Sequence, residues 1–210
     1  VNCPLQIFAA LSVQCPTQAI VADRNFALPS TPLVIVTQGV PSYTYSVSGL
    51  PAGLTNAGGS VSGLASVNGT FTYTVNVTDA LGAFVSRQCP LTVNNQPVPS
   101  CPALGTTEVT APYSQVLAVQ FGTAPNTVQV IGTLPPGLNF SNGIISGQAT
   151  TVGSYTFTVR ATDALGATAQ VSCTIIVLSG PTATCPEQTA ANQNTPITSD
   201  ATVVNGTGPY

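Results

Sequence analysis

Large apolar and hydroxyl side chains alternate along two stretches of this chain, Phe71-Thr72-Tyr73-Thr74-Val75 and Tyr155-Thr156-Phe157-Thr158-Val159. A period of two puts successive side chains on opposite faces, so each stretch predicts a strand with one buried face. The same reading predicts strands over Leu33–Thr37, Thr44–Ser48, Phe84–Val93, Val116–Phe121, Thr127–Ile131 and Ala167–Leu178, separated by turns that contain Gly and Pro. No segment carries apolar residues at helical spacing. Many short strands and no helix predict an all-β chain of two-sheet antiparallel sandwiches.

The pattern is written twice. Leu50-Pro51-Ala52-Gly53-Leu54 returns 84 residues later as Leu134-Pro135-Pro136-Gly137-Leu138, Val61-Ser62-Gly63 as Ile145-Ser146-Gly147, and Thr78-Asp79-Ala80-Leu81-Gly82-Ala83 as Thr162-Asp163-Ala164-Leu165-Gly166-Ala167. One offset of that length means tandem domains of one kind, so function is expected to belong to the array. The expected organisation is residues 1–14 as the C-terminal strand of a preceding domain, 15–97 and 101–181 as complete domains, and 185–210 as the N-terminal part of another. Both ends read as cut from something longer. The short Pro-containing connections 94–100 and 179–184 predict an extended array.

The repeated motifs have local jobs. In Leu-Pro-x-Gly-Leu, Pro fixes φ near −65° and Gly supplies a positive φ, which reverses the chain and turns both Leu side chains inward. Asp79 and Asp163 open Asp-Ala-Leu-Gly, where a short carboxylate can accept turn N–H groups; metal ligation is the competing reading. With the aliphatic-Ser-Gly step and the Gly-x-aromatic-Thr-aromatic-Thr-Val strand, this motif set resembles the putative-immunoglobulin repeats, cadherin-like modules of large extracellular surface proteins. The resemblance covers residues 15–94 and 101–178, and 185–210 matches the opening of a third copy. It implies tandem immunoglobulin-like domains serving as spacers, adhesive stalks or enzyme-attached modules.

Composition narrows the classes. Only 4% of residues are charged, net charge is −3, and Lys, His, Met and Trp are absent. Three Arg cannot displace the counterions of a nucleic acid, so no nucleic-acid partner is expected. No run approaches the ~18–20 apolar residues that span a bilayer. Without His, Lys, paired carboxylates or a phosphate loop, no enzyme activity and no cofactor are expected. Asp23 and Arg24 read as an exposed ion pair. At the first connection, Asn94-Asn95-Gln96 offers neutral amides, a poor calcium cage, so no metal is expected.

Cysteines follow the repeat: Cys3, Cys89 and Cys173 are equivalent, and so are Cys15, Cys101 and Cys185, each followed by Pro. In a chain without His this argues for disulfides and an extracellular or cell-surface location. In an immunoglobulin-like sandwich the first and last strands start at one end, which favours Cys15–Cys89 and Cys101–Cys173 and leaves Cys3 and Cys185 to pair outside the window. The alternative joins neighbours: Cys3–Cys15, Cys89–Cys101 and Cys173–Cys185. Asn68, Asn76, Asn139 and Asn205 lie in Asn-x-Ser/Thr sequons. The expected function is a structural repeat of a long extracellular fibre, stalk or filament whose partners are neighbouring copies of itself. The alternative is a ligand- or glycan-binding surface adhesin, with Tyr43, Tyr45 and Tyr113 as the aromatics to inspect.

Overall fold

The computed structural model describes residues 6–185, 193 and 201–206, all strand, turn or irregular backbone. The strands are β1 (Ser12–Gln14), β2 (Ile20–Asp23), β3 (Ala27–Pro32), β4 (Ile35–Gln38), β5 (Thr44–Ser48), β6 (Leu54–Ala57), β7 (Ser60–Leu64), β8 (Gly69–Thr78) and β9 (Phe84–Asn94). They continue as β10 (Val98–Pro99), β11 (Thr106–Glu108), β12 (Pro112–Val116), β13 (Val119–Gln120), β14 (Thr127–Gly132), β15 (Leu138–Ser141), β16 (Ile144–Gln148), β17 (Gly153–Thr162), β18 (Thr168–Leu178), β19 (Thr182–Thr184) and β20 (Thr202–Val204). Two compact units result. The first comprises Val1–Val98, Gln120–Asn126 and Thr162–Ala169; the second comprises Pro99–Val119, Thr127–Ala161 and Gln170–Tyr210.

One plan is used twice. The order β2-β9-β8-β5 faces β3-β7-β6, and the order β11-β18-β17-β14 faces β12-β16-β15. Alternation decides which side chains meet between the sheets: Tyr73, Val75 and Val77 of β8 with Cys89, Leu91 and Val93 of β9, and Phe157, Val159 and Ala161 of β17 with Cys173, Ile175 and Val177 of β18. Thr fills most outward slots of β8 and β17, with Asn76 and Arg160 among the exceptions.

The sheets are not wholly antiparallel. β2 runs parallel to β9, with Ile20 opposite Leu91 and Asp23 opposite Asn94, and β11 runs parallel to β18, with Thr106 opposite Ile176. A parallel pair needs a long crossover, and here the rest of the repeat supplies it. Nothing in the local alternation of either strand records that direction.

Three boundaries also differ from the sequence reading. Residues 11–14, expected to close a preceding domain, add Leu11 and Val13 to the core of the first unit, where β1 pairs with β4. Leu33–Thr37 is broken at Leu33-Val34, both buried, because the chain passes from β3, paired with β7, to β4, paired with β1. The Tyr73 hydroxyl caps that break by donating to the Leu33 carbonyl at 2.7 Å, and burial pushes the phenol up to about 12. Val116–Phe121 is likewise split, and Phe121 ends it with φ of +60°.

The Leu-Pro-x-Gly-Leu turn places Gly53 and Gly137 both at φ of +91°. Leu54 and Leu138 are buried, while Leu50 and Leu134 pack half-buried against the two cores. A Cβ on Gly53 would overlap the Leu64 carbonyl oxygen, in a corner where Leu64 N–H donates to Gly53 O at 3.1 Å. Gly53→Ala therefore combines an unfavourable backbone region with overpacking, and is expected to cost about 2 kcal/mol in urea unfolding. An unchanged midpoint would show that the corner yields freely.

Candidate functional site: the disulfides and a buried carboxylate pair

Parallel pairing of the first and last strands decides the cysteine geometry. Cys15 follows β1 directly and Cys89 takes an inward slot of β9, and the two form a disulfide with Cα atoms 5.6 Å apart and a sequence separation of 74. Cys101 and Cys173 repeat the arrangement, with a Cα separation of 5.4 Å and a sequence separation of 72. Pairing of neighbours across the connections is therefore not used by these four cysteines. Cys185 is free and exposed. Cys3 lies outside the described residues.

Each Asp-Ala-Leu-Gly turn is built around its carboxylate. Asp79 Oδ1 accepts from Leu81 N at 2.9 Å and Ala83 N at 2.9 Å, and Oδ2 accepts from Val40 N at 3.0 Å. Those backbone donors, Val40 foremost, hold its pKa below the ordinary carboxylate value. Asp163 repeats the set with Leu165 N at 3.0 Å, Ala167 N at 2.9 Å and Thr123 N at 3.0 Å. Burial works against its charge, but the bonds it accepts from Asp23, Thr123, Ala167 and Leu165 outweigh that and lower its pKa. Asp thus supplies three acceptor contacts that Ala or Ser could not reproduce.

Asp23 corrects the reading of an exposed ion pair. It is 1% exposed, whereas Arg24 projects outward. Register puts it at the end of β2 opposite Asn94, and the segments 120–126 and 162–169 of the first unit cover it. Asn94 Nδ2 donates to Thr123 Oγ1 at 2.8 Å, and Thr123 Oγ1 donates to Asp23 Oδ1 at 2.8 Å. Asp23 Oδ2 is buried with no donor facing it. Two carboxylates here could only repel, and a proton held on Asp23 converts the contact with Asp163 into a hydrogen bond. Burial first, then that bond, push Asp23 up to about 6. Spacing within the repeat gave no sign of the pair, because its members are far apart in sequence.

The remaining expected positions separate by exposure. Asn68, Asn139 and Asn205 are exposed, while Asn76 lies half-buried in the middle of β8, 3.4 Å from Ser46 Oγ. Tyr43 and Tyr45 pack half-buried against the first core. Tyr113 is buried, and its hydroxyl donates to Leu104 O at 2.6 Å. None of the three offers an open ring. Phe121, which the sequence reading placed at the end of a strand, is 58% exposed. Among the described residues no three His, Cys, Asp or Glu side chains are gathered, and no helix is long and apolar enough to cross a membrane.

Comparison with known proteins gives this architecture relatives. The family model described as Putative Ig domain matches residues 9–96 and 90–178. The serine-rich adhesin for platelets of Staphylococcus aureus strain MRSA252 is 32% identical over 165 residues, 73% of this chain and 12% of its own length. Its counterpart in strain MSSA476 is also 32% identical over 165 residues, again 73% of this chain but 7% of its own length. The chain thus spans a small fraction of these curated relatives. Among solved structures, an I-band fragment of titin aligns at 13% identity with a TM-score of 0.47, covering 84% of this chain and 68% of its own. Extracellular domains 3–5 of Drosophila OTK align at 15% identity with a TM-score of 0.45, covering 81% and 62%.

Proposed function

Since this chain belongs to the Putative Ig domain family and carries the domain in two tandem copies, we propose that it is a structural repeat segment of a long extracellular fibre, stalk or filament, with neighbouring copies of itself as its partners. The observation that carries the reading is the covalent tie between the segment ahead of β2 or β11 and the last strand of each repeat, β9 or β18. Tension along an array enters a repeat near its first strand and leaves from its last. A bond from the entry segment to the last strand carries the load past the strands it encloses, β2–β8 in the first unit and β11–β17 in the second.

Composition supports the same reading. A surface of Thr, Ser and Asn with 4% charged residues brings no general base, no Schiff-base amine and no phosphate site, so the segment is read as non-enzymatic. It works outside the cell or at its surface, where disulfides persist. The two repeats, residues 15–97 together with β1 and residues 101–181, are the load-carrying domains. The exposed sequons at Asn68, Asn139 and Asn205 are the better glycan acceptors, since a half-buried mid-strand Asn76 leaves an attached sugar less room.

Single-molecule pulling tests the mechanical role. Under non-reducing conditions the 74-residue loop closed by Cys15–Cys89 stays hidden, and about 260 Å of contour is released only after a reductant is added. Full-length extensions without reductant would overturn the reading. Glycopeptide mass spectrometry on native material is expected to find sugar at Asn139 in preference to Asn76, and occupancy of Asn76 alone would contradict the exposure argument.

A further inference from the structure

We propose that the groove flanking Phe121 is a binding site for neutral oligosaccharide, a role additional to the mechanical one and independent of it. Phe121 stands 58% exposed in a left-handed backbone conformation, φ +60°, that a bulky residue rarely adopts. The fold does not ask for it. Val40 and Thr123 hold equivalent places, each donating its N–H to the turn aspartate of its repeat at 3.0 Å, so the residue two before them is Gln38 in one repeat and Phe121 in the other. Gln38 is an ordinary strand residue, paired with Ser12 in β4. A strained backbone that holds an apolar ring in water, at a position where a polar strand residue serves elsewhere in the same chain, points to use of the ring.

The backbone that presents the ring is held on both sides of the Phe121–Gly122 peptide. Asn126 Nδ2 donates to the Phe121 carbonyl at 2.8 Å, and Gly122 N–H donates to Asn95 O at 3.0 Å. Two clefts of the first unit, about 520 Å³ and about 280 Å³, lie against it and share Phe121, Asn68 and Asn95 as lining residues. The larger adds Arg24, Asn25 and Gln96. Its volume falls in the range of small-ligand sites, roughly 300–1,000 Å³.

The lining chemistry selects the ligand class. Each amide offers two donors and an acceptor in one plane, which matches the paired hydroxyls of a pyranose, each both donor and acceptor. The electron-rich face of the ring suits the C–H face of a sugar. No carboxylate lines either cleft, so a cation finds no anchor, and the single Arg24 is too little for a polyanion.

The test uses the whole chain made without glycosylation, so that Asn68 carries no sugar of its own, titrated with cellotriose, maltotriose, chitotriose and a β-1,3-glucan trisaccharide while amide and side-chain NMR shifts are followed. At least one trisaccharide is expected to bind with a dissociation constant of about 1 mM or tighter, shifting the signals of Asn25, Asn68, Asn95, Gln96 and Phe121. Phe121→Gln, the residue that the equivalent strand already tolerates, is expected to weaken binding at least about tenfold with the thermal midpoint retained. Asn95→Ala, which keeps the backbone carbonyl that Gly122 uses, is expected to weaken it as well. Absence of shifts at these residues with every trisaccharide, or affinity unchanged in Phe121→Gln, would overturn the proposal.

Discussion

Replacing Cys101 and Cys173 together by alanine is expected to remove about 4 kcal/mol of stability from the second unit. The bond closes a loop with a sequence separation of 72, and the chain-entropy estimate for a loop of that length is about 4 kcal/mol. A repeat this small, with a core of Val, Ile, Leu and Ala and two buried aromatic residues, Tyr113 and Phe157, has only about 5–15 kcal/mol of net stability to draw on. The loss is therefore a large share of what holds the unit folded. Reductant on the unaltered protein should reproduce the loss in the second unit and add a similar one in the first, where it opens Cys15–Cys89. Urea melts with and without reductant check this: in the alanine pair the second unit should show no further response to reductant, while the first unit, which keeps Cys15–Cys89, still responds. Equal midpoints for all three samples would mean that the sheets alone hold the fold and that the covalent tie matters only under load.

Stability of the first unit should peak near pH 4 and fall by about 3 kcal/mol on the way to pH 8, the reverse of what buried paired carboxylates usually give. Asp23 is the cause: its pKa rises from 3.8 unfolded to about 6 folded. Below pH 3.8 both states hold the proton and its contribution is complete. Between 3.8 and 6 only the folded state keeps it, and each pH unit costs about 1.4 kcal/mol. Above 6 the buried side chain is charged beside Asp163 and the contribution is gone. Asp79 and Asp163 have the opposite sign: their lowered values add stability above 3.8 that is lost as pH falls through their folded pKa values. The maximum lies where the two limbs meet.

Asp163 is the titratable group that faces Asp23; Thr123 and Asn94 contribute neutral donors, and the neighbouring Arg24 is exposed. Asp23→Asn keeps the shape, still accepts from Thr123 and can donate to Asp163. The variant should therefore match the parent at pH 4 and exceed it by about 3 kcal/mol at pH 8. Urea melts at the two pH values decide it. A parent that is no less stable at pH 8, or a variant with the same pH slope, would remove the shared proton from this account.

What could be read from the residues was local. A Gly that must have positive φ in Leu-Pro-Ala-Gly-Leu, an Asp two and four residues before the N–H groups it binds, and a hydroxyl-aromatic alternation all act within a few positions of themselves, so Gly53, Asp79 and Tyr73 were legible at sight. The repeat then doubled each signal. Asp23 was not legible, because the Thr123 that hydrogen-bonds to it is 100 residues away in the chain and its repeat counterpart differs. Phe121 was misread for a related reason: the apolar run Val116-Leu117-Ala118-Val119 just before it made it look like the end of a strand, while the bonds that hold its backbone come from Asn126 and from Gly122 on Asn95.

By itself the sequence determined a chain of two like β-sandwiches, their turns and the period of their cysteines, since each follows from side-chain alternation and from residues that favour particular backbone angles. The sequence already favoured Cys15–Cys89 and Cys101–Cys173; only the tertiary structure decided the parallel pairs, β2 with β9 and β11 with β18, beside which those cysteines meet. It decided also that Asp23 meets Asp163 in a buried place and that Phe121 faces solvent. Strand direction across a whole repeat, and the burial of a single carboxylate, depend on which distant segments come to lie against a residue, and that is settled by packing.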